Sequence, residues 1–446
     1  MFQNSLFDAT KRVNIVVREQ HDLVRLASII NWRALILIAM NIRQSKIVKD
    51  SGPKPHYRQL LGAIALMAVK NLTYREAEDQ IAHYAPAKFL CDLMDTDWTL
   101  DHVTIFDFAQ MIGPEGIEQI NQEILQKAAE YGLLDPNIVM SDTTAQEAHI
   151  PYPNEVGLMA RYTELMAKNL KKVRGKFDSI REKVKDTISD IKNLLRNSHL
   201  FAKTKEAKRK VSKKMYHSVK DLHQEINGLL KSGNDLRTKA GKEVMRLSEL
   251  MENLLPQMLH FITTGFVASK KIIHLQIPDL YAIVRGKAGK KVEFGLKWGV
   301  NRIGGGFVQG FLMGEGKHCS DLQFCLEGVK KHAELFGEAP KIYGYDRGGY
   351  SPANVEKVGK MGVKHVGIAP KGKDDWEVSD SMADRIKRER AQVEGSIGTI
   401  KSGRYGFNKP NAHSKEAMVS CGHRSILGFN LMKLTRGIGK IQNEAI

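Results

Sequence analysis

From residue 154 to residue 255 the chain runs 102 residues without a proline, with Lys, Glu, Leu and Ile recurring at helical spacing. A stretch of that length without the strongest helix breaker reads as long helices. Breaks near 197–199 and at 231–235 would fold it into antiparallel helices, with Leu194, Leu195, Leu229 and Leu230 near the corners. An apolar strand at 137–141 precedes it and further strand-like segments follow, so the helices read as an insertion within an α/β domain rather than as a free-standing unit.

Charge is concentrated in the same place. The chain has 68 Lys and Arg against 50 Asp and Glu, a net charge of +18 and a pI near 9.5. Residues 161–250 alone hold 24 basic against 11 acidic residues, so most of the excess lies there. A basic surface attracts a polyanion through counterion release. A charge run on a helix is also commonly a solvated face.

Cys91, Cys319, Cys325 and Cys421 are scattered, without zinc-ribbon or Cys-x-x-Cys spacing, and read as reduced thiols of a cytoplasmic protein. The longest apolar runs, near 34–40 and 60–69, are far short of a membrane span, and the N-terminus lacks a basic-then-apolar signal. No membrane partner is expected.

Residues 1–130 read as short helices at 32–47, 57–70 and 73–83, with Thr73 as N-cap and Glu76 completing a capping box. An amphipathic segment at 104–112 adds a helix that a tight turn could present to a DNA groove. Beyond Pro278 the period changes to two. Segments 292–300 and 307–313 predict a hairpin across the turn at 301–306. A helix at 320–336, a strand at 341–345, a helix from Ser351-Pro352, a strand at 364–369 and a helix from about Ser381 follow, the last capped by Ser381 or Asp384. Two glycine-lysine stretches, 285–291 and 314–318, look phosphate-friendly but lack the spacing of a nucleotide-binding loop.

Asp142 follows the strand at 137–141 and Asp346 the strand at 341–345, the strand ends where open sheets build sites. Each alone is also what an Asx-turn uses. On the last helix, Lys387, Arg390, Glu394 and Lys401 form one stripe, and Ile386, Val393, Ile397 and Ile400 a neighbouring apolar stripe suited to packing on the sheet. Gly395 and Gly398 beside the charged stripe cost roughly 1 kcal/mol each in a helix interior and predict close approach of another backbone. Glu147 and His149 lie within reach of Asp142 and read as surface or supporting groups. Converging carboxylates bind divalent metal in a hard oxygen shell.

In context and order, Asp142, Asp346 and Glu394 resemble the catalytic triad of the DDE transposases of bacterial insertion sequences. The signature Tyr-x2-Arg-x3-Glu-x6-Lys is met at Arg390, Glu394 and Lys401, with Lys387 in the tyrosine's place. Leu72-Thr-Tyr-Arg-Glu-Ala-Glu78 and Asp101-His-Val-Thr-Ile-Phe106 resemble the helical domain that precedes the core in that family. The resemblance implies an α/β protein with an RNase H-like mixed-sheet core and a long all-α insertion between its first two strands. It assigns 1–130 to a helical DNA-binding domain, 131–153 and 270–420 to the core, 154–269 to the insertion and 421–446 to a basic tail. It also implies Asp142, Asp346 and Glu394 as ligands of Mg2+ or Mn2+, two ions in all, and Lys387, Arg390 and Lys401 as DNA contacts. The activity it implies is cleavage at terminal inverted repeats and strand transfer to target DNA by a homo-oligomer. The alternatives are an RNase H-like nuclease without strand transfer and a non-catalytic DNA-binding descendant.

Overall fold

The computed structural model describes residues 17–46, 54–173, 178–231, 237–284, 292–313, 319–370, 376 and 378–444. They form two compact units, Met1–Glu147 with Lys297–Ile446, and Ala148–Leu296. The glycine-lysine stretches at 285–291 and 314–318 lie outside the described residues.

The first unit begins with α1 (Asp22–Ile29), α2 (Trp32–Lys46), α3 (Tyr57–Lys70), α4 (Tyr74–His83), α5 (Ala85–Leu90) and α6 (His102–Glu130). Helix α3 is apolar all round and buried from Leu60 to Val69, as a helix without a polar face must be. Thr73 caps α4 and Glu76 closes the capping box. Residues 104–112 are the first part of α6, which kinks at Gly113 (φ 62°) where Pro114 follows. No single helix among the described residues is long and apolar enough to cross a membrane; α1 and α2 would reach that length together but bend by 71° between them.

Strand β1 (Asp135–Glu147) opens the sheet. It runs six residues beyond the end expected at Ser141, because its polar residues find buried partners. Ser141 meets Asn301, and Gln146 accepts from Trp298 Nε1 at 2.9 Å while donating to the Met418 carbonyl at 2.8 Å.

The second unit carries α7 (Glu155–Leu170), α8 (Asp178–Phe201), α9 (Lys205–Lys231), α10 (Lys239–Thr264), β2 (Tyr281–Val284) and the start of β3 (Val292–Gly304). The proline-free stretch is therefore helical, and the helices share a core that includes Met159, Tyr162, Met215, Val219, Leu247 and Leu254. The break expected at 197–199 falls instead at 202–204, where Thr204 accepts from Ala207 N at 3.1 Å and starts α9. The expected break at 231–235 lies largely outside the described residues. The compact unit is wider than the expected insertion at 154–269, since 148–153 and 270–296 belong to it.

After β3 come β4 (Phe307–Leu312), α11 (Asp321–Phe336), β5 (Ile342–Tyr345), α12 (Pro352–Lys360), β6 (His365–Ile368), α13 (Asp380–Lys401) and α14 (Lys415–Glu444). The β3–β4 turn is tighter than expected: Ile303 pairs with Phe307 across a three-residue loop in which Gly305 and Gly306 take φ of 82° and 83°. Ser379, rather than Ser381 or Asp384, stands at the N-cap of α13. Strand order is β2-β3-β1-β5-β6, with β4 on β3. Asn301 meets Ser141 and Gly304 lies against Asp135, so β3 runs against β1; β5 and β6 are parallel to their neighbours.

The C-terminal residues correct the expectation of a basic tail. They form α14, which buries Ile426, Leu427, Leu431 and Leu434 and packs on α6, α3 and β4. The N-terminal helices consequently share one core with the sheet instead of forming a domain of their own.

Candidate functional site

Parallel pairing of β1 with β5 sets Ile138 opposite Ile342, Val139 opposite Tyr343 and Met140 opposite Gly344. Two residues further along both strands stand Asp142 and Asp346, on neighbouring strands roughly 4.8 Å apart. Both are half-buried. Asp142 accepts from Thr143 N at 2.7 Å, and Asp346 accepts from Gly348 N at 2.9 Å, capping the short 3-10 turn Arg347–Gly349. The Asx-turn and the site position are thus compatible at Asp346, since one carboxylate oxygen makes the turn.

A third carboxylate, unnoticed in the sequence, lies beside them. Asp321 opens α11, and its Oδ1 receives Lys297 Nζ at 2.8 Å and Thr143 Oγ1 at 3.2 Å. A methyl group placed on Gly348 would stand 2.9 Å from both Asp321 Oδ2 and Asp346 Oδ1, so the two carboxylates flank a space only glycine leaves open. Lys297 is mostly buried, 16% exposed, with its ammonium 5.0 Å from the Phe324 ring centre. Asp321 is the charge that compensates it.

Tyr345 sits among these acids. Its side chain is buried and its hydroxyl has no hydrogen-bond partner among the described residues. Burial raises its pKa far above the usual phenol range, and the fields of Tyr343, Asp321, Asp142 and Asp346 push the same way. It stays a neutral phenol with a free donor. Nearby, burial pushes the Cys325 thiol up to about 12, with Asp346 adding to the effect, so it is not a nucleophile at neutral pH.

Helix α13 is held on the sheet by the apolar stripe expected of it. Ile386, Val393 and Ile400 are buried, and Ile386 packs with Ile138, Met140 and Ile342. Gly344 and Gly367 make room for it, since a Cβ there would come within 3.4 and 2.9 Å of the Ile386 side chain. A polar tie adds to the packing: Arg302 of β3, buried at 8% exposure, bonds Glu389 at 2.6 Å and also meets Gln392.

That rotation leaves Glu394 exposed, without a hydrogen bond or ion pair among the described residues. Among those residues no group of three or more His, Cys, Asp and Glu side chains is arranged to hold a metal ion, so Glu394 is not gathered with Asp142 and Asp346. Lys387 is exposed and pairs with Asp384 at 3.3 Å, while Arg390 and Lys401 are half-buried. The close backbone approach expected at Gly395 and Gly398 is absent: no described atom outside the helix lies within 4 Å of a Cβ built at either, and both face solvent. Glu147 accepts from Lys409 N through its carbonyl at 2.7 Å, and His149 is exposed.

The missed residues, Asp321 and Glu389, had one available signal each. Lys297 and Arg302 are cations within β3, whose other residues from Phe294 to Gly304 are apolar or glycine except Asn301, and a cation buried in a sheet requires an anion from a neighbouring element. No protein-family model, curated protein or solved structure matches the chain.

Proposed function

We propose that the chain is a DNA transposase, which cleaves transposon ends and joins them to target DNA through an RNase H-like core. The observation that carries this reading is the register that sets Asp142 opposite Asp346 on adjacent parallel strands. The β3–β4 hairpin beside β1, the two parallel strands beyond it and the α13 helix bearing Arg390, Glu394 and Lys401 support the same fold reading.

The donor set fits a hard divalent cation. Mg2+ takes one or two carboxylates and fills its shell with water and phosphate oxygens, and Asp142 and Asp346 offer such a pair. Mg2+ or Mn2+, two ions in the full reading, would supply electrophilic stabilisation and water activation for in-line displacement at phosphorus. Asp142 and Asp346 hold their oxygens in place through the strand ends and the Gly348 turn. Glu394 is the third carboxylate of the proposal, and Arg390, Lys401 and Lys387 hold phosphates. Asp321, tied to Lys297 and Thr143, lies against the Gly348 turn. The partners are the terminal repeats, target DNA and further copies of the chain, in the cytoplasm.

A non-catalytic DNA-binding role has one observation in its favour, the separation of Glu394 from the two aspartates. Incubating the protein with Mg2+ or Mn2+ and DNA bearing candidate terminal repeats tests both readings. Joined products support the transposase, cleavage without joining a nuclease, and binding without cleavage the non-catalytic form.

A further inference from the structure

The basic charge of the second unit is gathered at one corner of its helical bundle. Between residues 191 and 220 the chain has 10 Lys and Arg and a single acid, Glu206. This span is the end of α8, the turn at 202–204 and the first part of α9. The corner is well fixed: Arg209 reaches across to the carbonyls of Ile262 and Thr263, closing the C-terminal end of α10.

The geometry of α9 divides its residues cleanly. Met215, Val219, Leu222 and Ile226 are buried in the bundle core. On the opposite side Lys210, Lys213, Lys214 and His217 follow i, i+3, i+4, i+7 spacing, and all four are exposed. None of the three lysine side chains makes an ion pair or hydrogen bond among the described residues, whereas other lysines of the unit do, such as Lys183 with Glu225 and Lys271 with Glu155. The face carries exposed acids only at its ends, Glu206 four residues before Lys210 and Asp221 four residues after His217, and no acid stands between Lys210 and His217. Three like charges within about one helical turn repel one another, a cost that a polyanionic partner would reverse.

We propose that the outer face of α9, centred on Lys210, Lys213 and Lys214, docks on the phosphate backbone of duplex DNA. The charge supports a polyanion, and the choice of DNA rests on the transposase reading. Flexible lysines act as point charges and carry no planar fork for base edges, so the contact is independent of sequence.

The test is fluorescence anisotropy of the full chain with a mixed-sequence duplex across a salt series, comparing wild type with the triple variant Lys210→Gln, Lys213→Gln, Lys214→Gln. Each lost phosphate contact lowers the slope of log K against log salt by about 0.9, so the triple variant should flatten it by about 2 to 3. An equal melting temperature for the two proteins establishes that the fold is intact. Unchanged affinity and slope in the variant, with wild type binding DNA, overturns the proposal while leaving the transposase reading in place. A flattened slope with no cleavage or joining at any repeat sustains the surface and removes the enzyme reading. A parallel arm with phosphatidylserine vesicles overturns it in favour of a membrane if only vesicle binding responds to the three substitutions.

Discussion

Asp142 and Asp346 differ from Asp321 in what each carboxylate already holds. Asp321 neutralises a mostly buried ammonium, while Asp142 and Asp346 bond backbone N–H groups at strand ends. Asp142→Asn and Asp346→Asn should therefore each remove cleavage and joining by at least about 1,000-fold, or about 4 kcal/mol of barrier, with DNA affinity and melting temperature nearly unchanged. Asp321→Asn leaves Lys297 with a neutral acceptor. It should cost about 1–3 kcal/mol in denaturant unfolding, and the remaining folded protein should keep activity within about tenfold of wild type. Activity lost as completely as in Asp142→Asn would make Asp321 a ligand in its own right. Sequence reading found Asp142 and Asp346 because a strand end announces itself in the apolar pattern before it. Asp321 had no such flag: as the first residue of a helix capped by Ser320, it looks like any acid favoured by the helix dipole. Only the fold brings Lys297 to it.

At the scale of the element, α13 separates two acids that sequence alone cannot rank. Both Glu389 and Glu394 lie four residues after an arginine, Arg385 and Arg390. The apolar stripe fixes the helix rotation and turns Glu389 towards Arg302 and Glu394 towards solvent. Glu389→Ala should strand the buried guanidinium and destabilise the protein by about 2–3 kcal/mol, below the roughly 3–5 kcal/mol of a fully buried pair because Glu389 is 27% exposed. Glu394→Gln should leave stability within about 0.5 kcal/mol and abolish strand transfer. Chemical denaturation and a joining assay on the same two proteins separate the roles, and full strand transfer by Glu394→Gln would end its assignment to the site. The capped helices were legible because their start signals are local, as at Thr73 and Ser320. Helix α14 was not, because Gly422, Gly428, Gly437 and Gly439 and its scattered cations look like a flexible basic end. Those glycines answer to packing: Gly422 lies against Trp298 and Gly428 against the Ala68 carbonyl, contacts a side chain would block.

For the whole molecule, two cores in one chain give acid unfolding a direction. In the first unit burial pulls the His423 imidazole down to about 3 and, against a hydrogen bond to the Pro136 carbonyl, His332 to about 4. An unfolded histidine titrates near 6.5, so between that pH and the folded value the unfolded chain binds the proton and the folded chain does not. Each group's stabilising effect is therefore fully present above about pH 6.5 and is lost as pH falls towards about 4 for His332 and about 3 for His423. The slope approaches about 1.4 kcal/mol per pH unit for each. In the second unit His223 is also lowered by burial, but Glu252 opposes the shift. Lowering the pH from 7 to 5 should thus loosen the first unit before the second. Hydrogen exchange read by mass spectrometry should show protection lost first in peptides from β1, β3 and α14, with the α9 and α10 core peptides holding. His423→Gln should make the first unit's stability less dependent on pH in this range, since the replacement cannot take up a proton on unfolding. If the α9 and α10 peptides exchange first instead, the buried histidines of the first unit do not set the acid limit.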